Sequence, residues 1–211
     1  MTQYLTIQPQ QFTWEQDIKK SRFILNIARV TTEEQAQAFI NQMNKQHHKA
    51  THNVFAYMLG DTDHIQRYSD NGEPSGTAGV PMLEVLQKRG LHDIVAVVTR
   101  YFGGIKLGAG GLIRAYSGTV ADGLTQTTLV QRVTRQAITI TTSYKNHPIL
   151  EHWLTEHDFE IMRTEYDTAV HIVVPVAEAT VTDFIAQVTD LLAGNATTSI
   201  GETIFFEIPM T

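Results

Sequence analysis

Residues 94–124 hold three patterns in direct succession, and they constrain the fold more than any other segment. The run Ile-Val-Ala-Val-Val at 94–98 is apolar without alternation, which suits a strand buried on both faces. A loop containing Gly103, Gly104, Gly108, Gly110 and Gly111 follows. Leu112, Ala115, Thr119 and Leu124 then share one face of a helix over roughly 108–127. No acidic residue occurs from Ile94 to Ala121, whereas Arg100, Lys106 and Arg114 all do. A strand feeding a glycine loop that opens a helix presents free backbone N–H groups and the positive end of a helix dipole. This predicts an anion or nucleic-acid site at Arg100, Lys106, Gly108, Gly110, Gly111 and Arg114. The competing reading is that the glycines serve only tight packing and turns with positive φ.

The common phosphate motifs do not fit. Lys106 is followed by Leu107, not by the Ser or Thr of a Walker loop. A dinucleotide fingerprint on Gly108 and Gly110 would put a small residue at 113, where Ile113 stands.

Charge divides the chain. Residues 1–135 hold 14 Lys and Arg against 11 Asp and Glu, net +3, while residues 136–211 hold 2 against 11, net −9. Such asymmetry predicts two domains, 1–132 and 133–211, and a polyanion would prefer the first. The chain has no cysteine, which excludes disulfides, a thiol nucleophile and thiolate zinc sites. No apolar run spans a bilayer, and the first residues lack a signal-peptide pattern. No membrane association is expected, and a cytoplasmic location is.

Strands are predicted at 12–19 and 22–30, with Lys20-Ser21 near the turn between them. Thr31 or Thr32 with Glu34 or Gln35 resembles a capping box, before a helix with Ala36, Phe39, Ile40 and Met43 on one face. Strands at 54–59 and 65–69 are joined by a polar turn at 60–63. A loop of turn-forming residues at 70–76 precedes a helix that Gly90 terminates. Beyond residue 135, strands are expected at 136–144, 159–167, 169–176 and 203–208, with helices at 147–157 and 178–192. This βαββαβ order in about 76 residues is the ferredoxin-like pattern.

Four blocks carry a resemblance to a known family. They are Lys19-Lys20-Ser21-Arg22-Phe23-Ile24, Ala50-Thr51-His52-Asn53, the run from Gly72 to Pro81, and the run from Val98 through the glycine loop to Tyr116. Together they resemble the IMPACT family in its bacterial two-domain form. The resemblance implies an α+β protein with an N-terminal ribosomal-protein-like α/β domain. It also implies a C-terminal ferredoxin-like domain similar to the last domain of elongation factor G. The resemblance implies a link to translational control, which eukaryotic relatives exert by competing for an activator of a kinase that phosphorylates an initiation factor; those relatives carry an extra N-terminal module that this sequence is not expected to have. The family usually has Asp-Asp before Gly-Glu-Pro, where this chain has Asp70-Asn71, so a metal role for that pair is not expected.

A pocket lined by His52, Asp70, Glu73, Ser75 and Tyr101 is expected beside the glycine loop. Glu73 and Asp70 suit a general base and an orienting carboxylate, or else turn chemistry that caps the next helix. Strand alternation puts Arg100 and Phe102 on one face and Tyr101 on the other. Phe102 is expected in the core, and Arg100 either holds phosphate or pairs with Asp70 or Glu73. His48 and His52 have i,i+4 spacing without a third ligand, so neither a metal nor a cofactor is expected.

The leading functional expectation is a cytoplasmic regulator that binds RNA, the ribosome or a translation-linked protein through its basic N-terminal domain. The alternatives are an enzyme acting on a small anion in a His52/Glu73/Arg100/Lys106 pocket, and a pure protein-interaction module.

Overall fold

The computed structural model describes residues 4–8, 11–60 and 65–210. The chain divides into two compact units. One spans Val133–Glu207; the other holds the chain up to Arg132 and the stretch from Ile208. Of the turn expected at 60–63, only Gly60 lies within the described residues.

The first unit is built on a five-stranded antiparallel sheet. Its strands are β2 (Phe12–Ile18), β3 (Ser21–Arg29), β4 (His52–Leu59), β5 (Ile65–Ser69) and β6 (Ile94–Tyr101), in the order β2-β3-β6-β4-β5. Helix α1 (Glu33–Gln46) packs on one face; α2 (Gly79–Lys88) and α3 (Ala109–Leu124) pack on the other. Side chains from the central strands therefore alternate between two cores. Phe23, Leu25, Val54, Ala56, Ala96 and Val98 join Leu86, Leu112 and Val120 on the α2/α3 side. Val95, Val97, Tyr57 and Leu59 meet Phe39, Ile40 and Met43 on the α1 side. With both faces covered, β6 is apolar on both sides over 94–98, which is why that run does not alternate.

Local chemistry sets the helix ends. The Thr32 Oγ1 caps α1 by accepting the Gln35 N–H at 3.2 Å, while the Gln35 Oε1 accepts the Thr31 N–H at 2.8 Å. The α2 start is tied down by Asp70, whose Oδ1 accepts the N–H groups of Ala78 and Gly79 and whose Oδ2 accepts that of Gly76. The β2–β3 hairpin turns on Lys19 and Lys20, with φ of +48° and +66°. Glycine or asparagine usually holds such a turn.

The chain continues with β7 (Leu129–Thr142), α4 (His147–Glu156), β8 (Arg163–Tyr166), β9 (Val170–Val176), α5 (Val181–Leu191) and β10 (Ala196–Pro209), and the second unit takes β7 from Val133 and β10 as far as Glu207. β7 pairs with β9 and β9 with β8, both antiparallel, and β10 pairs with β7. This is the expected ferredoxin-like arrangement. Its core joins Ile138, Ile140, Ile172 and Val174 of the sheet to Leu150, Leu154, Phe184 and Val188 of the helices.

Several expectations are corrected. The strand expected at 159–167 is paired only over Arg163–Tyr166. Phe159 instead packs its ring against Trp153 and Phe184, with centroids 5.6 and 4.7 Å apart. β7 starts at Leu129, not 136, because its first residues pair with a strand that the sequence reading missed, β1 (Tyr4–Ile7). β10 also extends well before residue 203. Among the described residues, no helix is long and apolar enough to cross a membrane.

Candidate functional site

β6 lies between β3 and β4, so its last residues face both neighbours. Arg100 is opposite Phe23 on one side and His52 on the other. Its side chain reaches the loop before α2, where Nη1 donates to the Glu73 Oε1 at 2.7 Å. Only 6% of the Arg100 side chain and 4% of that of Glu73 is exposed. The same Oε1 accepts the phenol of Tyr116 from α3, also at 2.7 Å. Burial and the neighbouring Glu73 carboxylate push the Tyr116 phenol far above its ordinary range, so it stays a protonated donor. The Glu73 Oε2 faces the His52 Nε2 at 3.7 Å.

His52 is held from behind. Its Nδ1 lies 2.7 Å from the carbonyl oxygen of Asn71, which can only accept, so Nδ1 carries the proton. Nε2 is then the nitrogen turned toward Glu73. Asn71 has φ of +47°, a conformation that asparagine tolerates, and its Oδ1 accepts the Asn53 N–H at 2.8 Å. Aspartate at 71 would offer the same accepting oxygen, so the departure from the family's Asp-Asp pair keeps this contact. Asn53 in turn accepts from the Thr99 hydroxyl at 2.8 Å.

On the other side of Arg100, Nη2 donates to the buried Ser21 Oγ at 3.4 Å, and the Gly103 N–H donates to the same oxygen at 3.2 Å. Gly103 is obligatory here, since a β-carbon would overlap the Lys20 carbonyl. That contact brings the β2–β3 turn against the glycine loop. The guanidinium lies 5.4 Å from the Phe23 ring centre and 5.5 Å from that of Phe102.

These elements enclose a pocket of about 390 Å³. Its wall includes His52, Glu73, Arg100, Phe102, Lys106 and Gly108, with Thr51, Pro74, Leu107, Ala109 and Leu112 completing it. The four residues His52, Glu73, Arg100 and Lys106 thus meet in one cavity. Glu73 neutralises Arg100, leaving Lys106 as an exposed cation that forms no hydrogen bond or ion pair among the described residues. α3 opens on this wall. Its N-cap is Gly108 at φ +73°, with no capping side chain and no acidic residue in the first turn.

Other site residues lie elsewhere. Asp70 gives both carboxylate oxygens to the backbone at the start of α2, the capping role that turn chemistry predicts. Ser75 is exposed and, like Asp70 and Tyr101, lies outside the pocket wall. Tyr101 points to the opposite face, where its hydroxyl meets the His47 Nδ1 at 3.1 Å and its ring carries the Arg22 guanidinium. Gly110 and Gly111 lie within the first turn of α3, and Arg114 is exposed one turn further along; none of the three lines the pocket. Phe102 corrects an expectation: it is 47% exposed and forms pocket wall, not core.

Sequence reasoning also missed Tyr116 and Ser21. Tyr116 left a signal, because a tyrosine on the buried face of a helix needs a partner for its hydroxyl. Among the described residues, no three His, Asp or Glu side chains come together as metal ligands.

Residues 19–124 match the model of the Impact N-terminal domain, and residues 140–195 match a domain of unknown function, DUF1949. The chain belongs to the IMPACT family. It is 47% identical over 190 residues to the IMPACT family member YvyE of Bacillus subtilis, covering 90% of this chain and 88% of that relative. It is 38% identical over 182 residues to the IMPACT family member YigZ of Escherichia coli, covering 85% and 89%. A crystal structure described as that of a hypothetical protein is similar at a TM-score of 0.60 and 35% identity, over 96% of this chain and 98% of that one.

Proposed function

We propose that this IMPACT-family chain is a cytoplasmic, translation-associated regulator that binds RNA, free or in the ribosome, through its first domain. One observation carries the reading: the uncapped, acid-free start of α3 opens beside Lys106 onto a pocket that Phe102 also lines. Backbone N–H groups at a helix start attract phosphate, a lysine adds a mobile point charge, and an exposed aromatic ring offers a surface for a base. The setting in translation is what the family resemblance implies, through the link of its eukaryotic relatives to translational control. The net −9 of residues 136–211 repels phosphate, so the second domain serves to orient the first or to engage a protein.

Sedimentation with ribosomes, with and without nuclease and over a salt series, tests the reading. Association should weaken as salt rises, because phosphate contacts release counterions. Lys106→Ala should reduce the salt slope by about one contact. Absence of ribosome and RNA association at low salt overturns the proposal.

A second reading rests on His52 and Glu73. The imidazole has one nitrogen anchored to a carbonyl and the other turned to a buried carboxylate, and both residues line the pocket. That arrangement suits a proton carrier acting on a small anionic substrate. Turnover of a phosphorylated or carboxylated compound that is lost in His52→Asn while binding survives would favour it.

A further inference from the structure

Phe102 is the least expected part of the pocket. It follows a buried strand, yet nearly half of its surface is open. One neighbour is the Arg100 guanidinium, and that cation also lies near the Phe23 ring, so Phe23, Arg100 and Phe102 form a short series of flat groups. An exposed ring backed by a buried cation is a surface on which a further flat, π-rich group can stack.

The polar side of the same cavity suits a phosphate. Lys106, Gly108 and Ala109 line it, where α3 begins without a cap or an acid. The Arg100 guanidinium in the same wall is taken up by Glu73 and Ser21, so Lys106 is the cation left to meet a phosphate there. The volume of about 390 Å³ lies near the lower end of the range for small-molecule sites, about 300–1,000 Å³. That is room for a single nucleotide and too little for an oligonucleotide.

We infer that this pocket holds one nucleotide unit, its base stacked on Phe102 and its phosphate at the start of α3 beside Lys106. The inference rests on the phosphate-binding reading of the site given above and narrows its ligand to a base and a phosphate held together. A free nucleoside monophosphate and a terminal or extruded nucleotide of an RNA chain share this chemistry.

The test is calorimetry on the full chain with the four nucleoside 5′-monophosphates, ribose 5-phosphate and inorganic phosphate, alongside a single-stranded RNA oligomer. At least one monophosphate should bind about fivefold or more tightly than ribose 5-phosphate, the least that one base–aromatic stack contributes. Phe102→Ala should erase that difference and leave ribose 5-phosphate binding unchanged, and Phe102→Tyr should restore it. Lys106→Ala should weaken both compounds. Because Phe102 is exposed, its variants should keep the wild-type melting temperature, which is checked in parallel. Equal binding of monophosphates and ribose 5-phosphate, or indifference to Phe102→Ala, overturns the inference. RNA binding without any monophosphate binding also overturns it and leaves the RNA reading standing. Monophosphate binding without RNA binding upholds it with the free nucleotide as ligand and removes the RNA reading.

Discussion

The Nη1 of Arg100 donates to the Glu73 Oε1 at 2.7 Å with both side chains buried, and this pair joins the end of β6 to the loop before α2. A buried ion pair stabilises little against an apolar substitute, but removing one partner strands the other charge. Glu73→Ala should therefore cost about 3–5 kcal/mol in urea unfolding. The double variant Glu73→Ala/Arg100→Met should recover part of that loss. A double variant as unstable as the sum of its singles would show that the two residues act independently.

Tyr116 gives a smaller effect at the same carboxylate. Tyr116→Phe removes one hydrogen bond to a charged acceptor and should cost about 1.5–3 kcal/mol. A loss well below 1 kcal/mol would mean that the Glu73 oxygen finds another donor.

Gly103→Ala should be disproportionately harmful. Its β-carbon meets the Lys20 carbonyl, and backbone cannot swing aside as a side-chain end does. The expected loss is about 3 kcal/mol or more, at the upper end for overpacking. Gly104→Ala next door also carries strain at φ +86°, but its β-carbon meets nothing, so it should cost less. Thermal melts of the two variants give the comparison.

Alkaline pH should loosen the attachment of β1. Burial, followed by the hydrogen bond to Asp93, pushes the Tyr4 phenol up to about 12. A folded-state value above the unfolded one makes a contribution that is complete below about pH 10, the unfolded tyrosine value. It is lost as pH rises through about 12. Unfolding free energies of wild type and Tyr4→Phe should therefore converge between these pH values, with wild type the more stable below them. A gap that stays constant to the top of the range would contradict the assignment.

The second unit should fold alone. Val133–Glu207 has its own core around Ile138, Ile172, Leu150 and Phe184. A fragment beginning at Val133 should show a cooperative thermal transition and dispersed amide resonances, although its small size leaves it only marginally stable. An unfolded fragment would mean that the units fold only together.

Local patterns in the sequence determined the helices and most strands of both units and the βαββαβ order of the second, but not β1 or the starts of β7 and β10. Periods of 3.6 and 2 residues report which face of an element is buried, so Ala36, Phe39, Ile40 and Met43 marked the inner face of α1 before any neighbour was known. The same logic put Arg100 and Phe102 on one side of β6 and Tyr101 on the other, as their contacts show. Strand order was decided only in three dimensions. β6 enters between β3 and β4, and that insertion brings Ser21, His52, Glu73, Arg100 and Tyr116 to one place from five separate segments. No local period encodes such pairing, because it depends on which faces the whole chain must bury at once. Phe102 is the sharpest case. In sequence it continues an apolar strand, but the sheet ends at Tyr101, so its ring emerges beyond the last pair of strands into the cavity.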